Sequence, residues 1–184
     1  MLLHSPREGC FYMPTIHKSC FIAPSAVIIG DVTIGKNCGV YPNAVIRGDE
    51  NSIVIEDGSN VQDCCVIHTD AEHQVHIGKN VTIGHGAIIH GATISDECLI
   101  GIQATVLNGA TIGSGSIVGA CALVTEKMIV PENSLILGIP GRIVKQDPHF
   151  VDTNRTNAEV YQHLSQKHKQ GKFLIHLSED KKSL

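Results

Sequence analysis

The chain of 184 residues is long enough for one domain with a sizeable core, and 42% of its residues are hydrophobic. Its net charge of −4 and the lack of a long basic run argue against binding to nucleic acid or to an anionic membrane surface. With no Trp, three Tyr and four Phe beside eighteen Gly, the core is expected to be built from β-branched side chains.

The opening MLLHSPREGCF has no basic stretch followed by an apolar one, and no apolar run reaches transmembrane length. We therefore expect a cytoplasmic protein. The seven cysteines are an odd number without C-x-x-C spacing, which favours a reducing compartment over a disulfide scaffold. Cys64 and Cys65 are adjacent, so on a strand they point to opposite faces.

An aliphatic residue recurs every six positions between Ile16 and Ile136. Three extra residues precede Ile55, four precede Ile77, and one step of five leads to Ile94. Two positions before each of these twenty residues, 17 are Ala, Ser, Cys or Val. A short extended run with a tight turn every six residues predicts a solenoid, a parallel β-helix of hexapeptide repeats. The twenty positions are Ile16, Ile22, Ile28, Ile34, Val40, Ile46, Ile55, Val61, Ile67, Ile77, Ile83, Ile89, Ile94, Ile100, Val106, Ile112, Val118, Val124, Val130 and Ile136.

The pattern resembles the left-handed β-helix family, in which three six-residue faces form one triangular coil around an aliphatic axis. The left-handedness is implied by this resemblance and not by the spacing. Twenty faces correspond to between six and seven coils. The small inward position is occupied by four cysteines, which we interpret as core residues: Cys20, Cys38, Cys65 and Cys98.

After the β-helix domain, expected over residues 1–145, residues 146–184 are expected to form a C-terminal helix and tail that pack on it. The segment GIPGRIVKQDP indicates an exit turn, and residues 155–169 are predicted to be the helix, lying back along one face of the prism. Its apolar stripe consists of Val160, Tyr161, Leu164 and His168.

Two histidines are predicted to stack on successive coils. Arg47, His68 and His90 each follow an aliphatic position on the same face, separated by 21 and 22 residues. These separations equal one coil of 18 residues plus the three and four extra residues, which we expect to bulge out as loops. Adjacent strands place His68 and His90 about 4.8 Å apart, a suitable distance for two ligands of one zinc ion.

A second column is predicted on the preceding face, where Asp63 lies one coil from His85 and Gln62 lies beside Asp63. This corner is a face-width from the His68/His90 pair, so the two groups cannot close on each other within one chain. If the prisms pack as a cyclic trimer, each can lend His85 to the pair of a neighbour. The metal would then have three histidine ligands and an open position, as in catalytic zinc sites.

The segments RGDENSIVIEDGSNVQDCCVIH, VTIGHGAIIHG and IGIQATVLNGATIG resemble the gamma-class carbonic anhydrase family over about residues 14–145. The resemblance implies a homotrimeric lyase that hydrates carbon dioxide reversibly to bicarbonate with a metal-bound hydroxide. It implies metal ligands His68, His85 and His90, with His85 from the adjacent subunit; catalytic residues Gln62, Glu50 and Tyr161; and interface residues Arg47, Asp49 and Asp63.

Alternatives remain open at this stage. Three imidazoles and a water suit zinc, but also iron(II) or cobalt(II). The family's long acidic loop is replaced by TDAEHQ, which leaves the proton shuttle undefined. A metal-binding assembly or scaffold protein without hydratase activity, or a hexapeptide acyltransferase using acyl-CoA, would share the fold. Seven of the other histidines are interpreted as polar surface: His17, His73, His76, His149, His163, His168 and His176.

Overall fold

The computed structural model describes residues 12–173 as a parallel β-helix followed by one α-helix. Residues 1–11 and 174–184 lie outside the described residues, and with them the opening segment behind the expected cytoplasmic location, most of the tail, and His176. The elements are β1 (Thr15–Ile16), β2 (Phe21–Ile22), β3 (Val27–Ile34), β4 (Gly39–Val40), β5 (Val45–Ile55), β6 (Asn60–Val61), β7 (Val66–His68), β8 (Val75–Ile77), β9 (Thr82–Ile83), β10 (Ile88–His90), β11 (Thr93–Ile94), β12 (Leu99–Ile100), β13 (Thr105–Val106), β14 (Thr111–Ile112), β15 (Ile117–Val118), β16 (Leu123–Val124), β17 (Ile129–Val130), β18 (Ser134–Leu137), β19 (Arg142–Gln146) and α1 (Phe150–Lys169).

The strands stack into three parallel faces, as the hexapeptide repeat predicts. The helix face contains β2, β4, β6, β9, β12, β15 and β18. The histidine face contains β7, β10, β13 and β16, together with the first halves of β3 and β5. The third face contains β1, β8, β11, β14 and β17, together with the second halves of β3 and β5.

The axis of the prism is filled by the repeating aliphatic residues. Of the twenty positions, 17 are buried; the exceptions, Ile16, Ile22 and Ile28, belong to the first coil. The inward cysteines are buried as expected, and burial raises the pKa of the Cys65 thiol to about 11. Its neighbour Cys64 is exposed, which confirms that the two point apart.

From Asn37 onward, most turns place one residue in the left-handed region of backbone space, three positions after the aliphatic residue. Asn and Gly adopt this conformation most readily, so they recur there. The non-glycine residues with positive φ are Asn37, Asn43, Cys64, Asn80, Glu97, Gln103, Cys121, Lys127 and Asn133.

The two insertions are accommodated differently. The four extra residues before Ile77 form a loop over residues 69–74, as predicted. The other three also bulge as predicted, but they lie within strand β5 and not in a separate loop. They extend β5 to eleven residues, and the parallel pairing with β3 continues after a register shift between Gly30 and Val32. Residues 49–52 have no register partner in β3 and bulge out opposite Asp31. Side-chain oxygens of Thr69 and Asn51 accept from the backbone N–H groups of Asn51 and Ser52 there.

The exit from the β-helix is a hairpin. Beyond the predicted turn, Arg142–Gln146 returns as β19 and pairs antiparallel with β18. The chain then enters α1 at Phe150, five residues before the predicted start, and the helix lies along the helix face against β2, β4, β6 and β9.

The predicted apolar stripe of α1 is wrong in one respect, because Val160 is 52% exposed. The helix instead buries Asn154, Ala158 and Ser165, whose small size allows a close approach to the prism. Among residues 12–173, no helix is long and apolar enough to cross a membrane.

Candidate metal centre

The predicted stacking of His68 on His90 is present in the structure. Strands β7 and β10 pair in parallel with these two residues as register partners. Nδ1 of His68 lies 3.0 Å from Nε2 of His90, and the two ring centroids are 5.0 Å apart. The hexapeptide register thus holds two imidazole nitrogens side by side at the end of the histidine face.

On the other side of His68 lie a carboxylate and a guanidinium from β5. Arg47 is the register partner of His68, and its Nη1 donates to Oδ2 of Asp49 at 2.6 Å. Oδ1 of Asp49 lies 3.3 Å from Nε2 of His68. Partial burial would raise the pKa of the Asp49 carboxyl, but hydrogen bonds from Arg47, from the backbone and from His68 hold it below its ordinary value. Glu50 follows in β5 and is exposed.

Behind His90 lies a polar network that the sequence pattern does not indicate. Nδ1 of His90 contacts Oδ1 of Asn108, and Nδ2 of Asn108 donates to Asp70. Nδ1 of His73 lies within hydrogen-bond distance of Oδ1 of Asp70, at 2.9 Å, so His73 is part of this network. Burial would raise the pKa of the Asp70 carboxyl, but the hydrogen bonds from the Glu72 and His73 segment lower it overall.

The second predicted column is also present. Oδ2 of Asp63 lies 2.8 Å from Nδ1 of His85, at the turn between β9 and β10. Gln62 is 3% exposed; its Oε1 accepts from the backbone N–H of His85 at 3.2 Å, and its Nε2 donates to Oδ1 of Asn60 at 3.2 Å. Asn60, which the sequence did not single out, therefore fixes which way the Gln62 amide points.

Tyr161 of α1 lies on the Asp63 side of the molecule. Its ring packs edge-on against Tyr41 at 5.6 Å between centroids. Burial raises the pKa of the Tyr161 phenol, and the nearby Asp63 carboxylate raises it further.

The two columns do not meet within one chain. Among residues 12–173, no group of three His, Cys, Asp or Glu side chains converges on a point suited to a metal ion. The His68/His90 pair nevertheless fits a metal, because two nitrogens on a tetrahedral zinc lie about 3.3 Å apart, close to the observed spacing. A third histidine ligand has to come from outside the pair.

A row of exposed or half-buried apolar side chains runs beside the histidine pair. Val27, Val45, Val66 and Ile88 are register partners on successive coils of the histidine face. Val66 and Ile88 are 38% and 39% exposed although each lies two residues before a histidine of the pair. We call these four residues the apolar row. Burial of the row against another surface would remove apolar area from water directly beside the imidazoles.

Comparison with known proteins gives consistent matches over most of the chain. Residues 13–48 and 91–126 match the family model described as bacterial transferase hexapeptide (six repeats). A protein of Methanocaldococcus jannaschii named "Probable carbonic anhydrase" is 50% identical over 152 residues, which cover 82% of this chain and 96% of the relative.

Two further matches extend this result. The "Gamma carbonic anhydrase 1, mitochondrial" of Arabidopsis thaliana is 37% identical and covers 84% of the chain, which spans 59% of that relative's length. The crystal structure of a hexapeptide transferase family protein from Anaplasma phagocytophilum superposes with a TM-score of 0.81 at 35% identity, covering 84% of this chain and 92% of that one.

Proposed function

The chain belongs to the gamma-class carbonic anhydrase family of hexapeptide-repeat proteins, and from this premise we propose that it hydrates carbon dioxide reversibly to bicarbonate at a metal centre shared between copies. The observation that carries the proposal is the His68/His90 pair. Its two nitrogens lie 3.0 Å apart, and Ile88 beside them is exposed on the same strand.

We assign the ligands as His68 and His90 of one chain and His85 of the partner subunit. Neutral imidazoles leave the positive charge of the metal undiminished, and the ion would supply a Lewis acid that makes water a nucleophile near neutral pH. Zinc fits this donor set, and iron(II) or cobalt(II) fits it as well.

The partner that we propose is a second copy of the same chain, in a cyclic homotrimer. The apolar row supplies a surface of suitable character beside the ligands, and His85 is available at another corner of the same prism. In a heterologous contact repeated around a three-fold axis, the apolar row of each chain packs against the part of the next chain that carries His85. The trimer therefore contains three identical contacts. In this assembly Arg47 and Asp63 lie at the interface, and Asp49 lies between Arg47 and His68.

The other site residues are proposed to act around the metal. Gln62 is an uncharged amide with one N–H and one oxygen lone pair beyond its two bonds within the chain, so it can orient the nucleophile without opposing the metal charge. Glu50 is exposed beside Asp49 and is proposed to pass the released proton to solvent. Tyr161 is proposed to line the site from the Asp63/His85 side.

A second candidate is acyl transfer from an acyl-CoA donor, which is favoured by the transferase description of the matching family model. A histidine would then act as the general base, and the reaction would need no metal. A metal-binding scaffold without hydratase activity would keep the ligands and the trimer. These three functions differ in metal dependence and in reaction, so one set of assays separates them.

The test combines metal analysis with activity on a single preparation. Protein purified without air is expected to hold about one metal ion per chain and to hydrate carbon dioxide, and His90→Ala should lose both properties. Full metal content without hydration would contradict the enzyme and favour the scaffold. Transfer of an acetyl group from acetyl-CoA by metal-free protein would instead support the acyltransferase.

A further inference from the structure

The side chain of Asn108 bridges a proposed metal ligand and a carboxylate. It contacts Nδ1 of His90 through Oδ1 and donates to Asp70 through Nδ2. We propose that Asp70 and Asn108 are positioning residues that fix the tautomer and the ring orientation of His90. This inference rests on the metal centre proposed above and adds residues to it that lie outside the ligand set.

The direction of the bridge is set by Asp70. A carboxylate only accepts hydrogen bonds, and Asp70 receives several: the backbone N–H of Glu72 at 2.9 Å, the backbone N–H of His73 at 2.7 Å and Nδ1 of His73 at 2.9 Å. Asn108 also contacts this carboxylate, so its amide nitrogen has to face Asp70. Its oxygen then faces His90, as the structure shows.

The tautomer of His90 follows from the same assignment of hydrogen-bond donors and acceptors. The amide oxygen of Asn108 is an acceptor, so Nδ1 of His90 has to carry the proton. In a neutral imidazole the other nitrogen, Nε2, then keeps its lone pair, and this is the nitrogen that lies 3.0 Å from His68. A metal ligand needs such a lone pair, and outer hydrogen bonds commonly select it.

The loop over residues 69–74 is built to hold Asp70 in this place. Asp70 caps its own loop through the two backbone N–H bonds, and His73 packs over Gly91 and Gly109. A Cβ atom on Gly91 would lie 2.7 Å from Cβ of His73, so the glycine after His90 leaves room for the loop. The four-residue insertion therefore places the Asp70 carboxylate next to Asn108, which contacts His90.

The test uses Asn108→Leu and Asp70→Asn, with Glu72→Gln as the matched control. Asn108→Leu keeps a side chain of similar size but removes the amide. Asp70→Asn replaces a carboxylate, which can only accept hydrogen bonds, with an amide that can also donate. The Glu72 side chain lies in the same loop, whereas only its backbone N–H contributes to the network. The affinity of the metal-free oligomer for zinc is measured by competition with a chelator. Both test variants are expected to bind zinc about 10–100-fold more weakly, and the control within about twofold of the parent protein.

A second readout does not require metal. Imidazole ¹⁵N chemical shifts of the metal-free protein are expected to show His90 protonated at Nδ1, and to show a mixture of tautomers in Asn108→Leu. Parent-like zinc affinity with unchanged His90 shifts in both variants would overturn the proposal. If the parent protein binds no metal, the proposed function fails, and the His90 tautomer still decides the role of Asn108 and Asp70.

Discussion

Gln62 is buried among polar groups at the Asp63/His85 column. Its oxygen accepts from the backbone N–H of His85, and its nitrogen donates to Asn60, which also donates to Oγ1 of Thr82 at 3.0 Å. The side chain therefore has a fixed position before any substrate arrives, which is a requirement for orienting a nucleophile.

Replacement of this amide tests its role directly. Gln62→Ala should leave metal content and oligomeric mass unchanged and lower kcat/KM by about 10–100-fold, since in the proposed role the amide would contact the reacting group and not the metal. Steady-state hydration assays with metal analysis on the same sample measure this. His90→Ala, by contrast, should remove the metal. If Gln62→Ala also loses metal, the residue acts by holding His85, and the orienting role is wrong.

Among individual site residues, the sequence predicted those whose positions depend only on the hexapeptide register. His68 and His90 stack because both follow an aliphatic position, and counting coils is enough to find them. Asn108 could not be found in this way, since an amide in a turn has many uses and its partner Asp70 lies on an inserted loop. Contacts between a coil and an insertion depend on the path of the loop, which has no periodicity.

Helix α1 approaches the prism closely at Gly39 of β4. A Cβ atom at this position would lie 2.1 Å from Oγ of Ser165 and 3.0 Å from the ring of Tyr41. The hydroxyl of Ser165 in turn donates to the backbone oxygen of Tyr161 at 2.8 Å. The absence of a side chain on β4 thus sets the depth at which the helix and Tyr161 sit.

Gly39→Ala is therefore expected to lower the free energy of unfolding by about 1–3 kcal/mol, the usual cost of overpacking. Combination with Ser165→Ala should recover part of this loss, because the closest clashing atom is removed. Denaturant unfolding of the two single variants and the double variant forms a cycle that isolates the contact. Purely additive effects would show that the two residues do not determine the approach of the helix.

The sequence predicted that α1 exists and lies along a face, but the predicted stripe included the exposed Val160 and missed the fully buried residues. The predicted stripe consisted mainly of large side chains, whereas the buried residues are Asn154, Ala158 and Ser165. Asn154 donates to backbone oxygens of Glu97 at 2.9 Å and Gly115 at 3.2 Å. A helix that packs on backbone carbonyls of turns selects small and polar residues, so hydrophobic periodicity alone does not reveal its face.

Assembly into the proposed trimer depends on burial of the apolar row. Ile88→Lys should convert the trimer to single chains and remove the metal, because a charge would be buried at the contact beside His90. Ile129→Lys is the matched control, since Ile129 is 68% exposed on the third face. Solution mass and metal content are measured for both. A trimer that persists in Ile88→Lys with metal bound would place the interface elsewhere.

Each metal ion is proposed to be held by two chains, and mixed oligomers distinguish this arrangement from a site within one chain. His85→Ala and His90→Ala chains carrying different tags are co-expressed and purified through both tags. Neither variant alone should bind metal. In each mixed trimer one contact joins an intact His68/His90 pair to an intact His85 of the partner subunit, so about one metal per trimer is expected, against about three in the parent protein. Mixed trimers that contain no metal, or a single chain that retains it, would contradict the shared site.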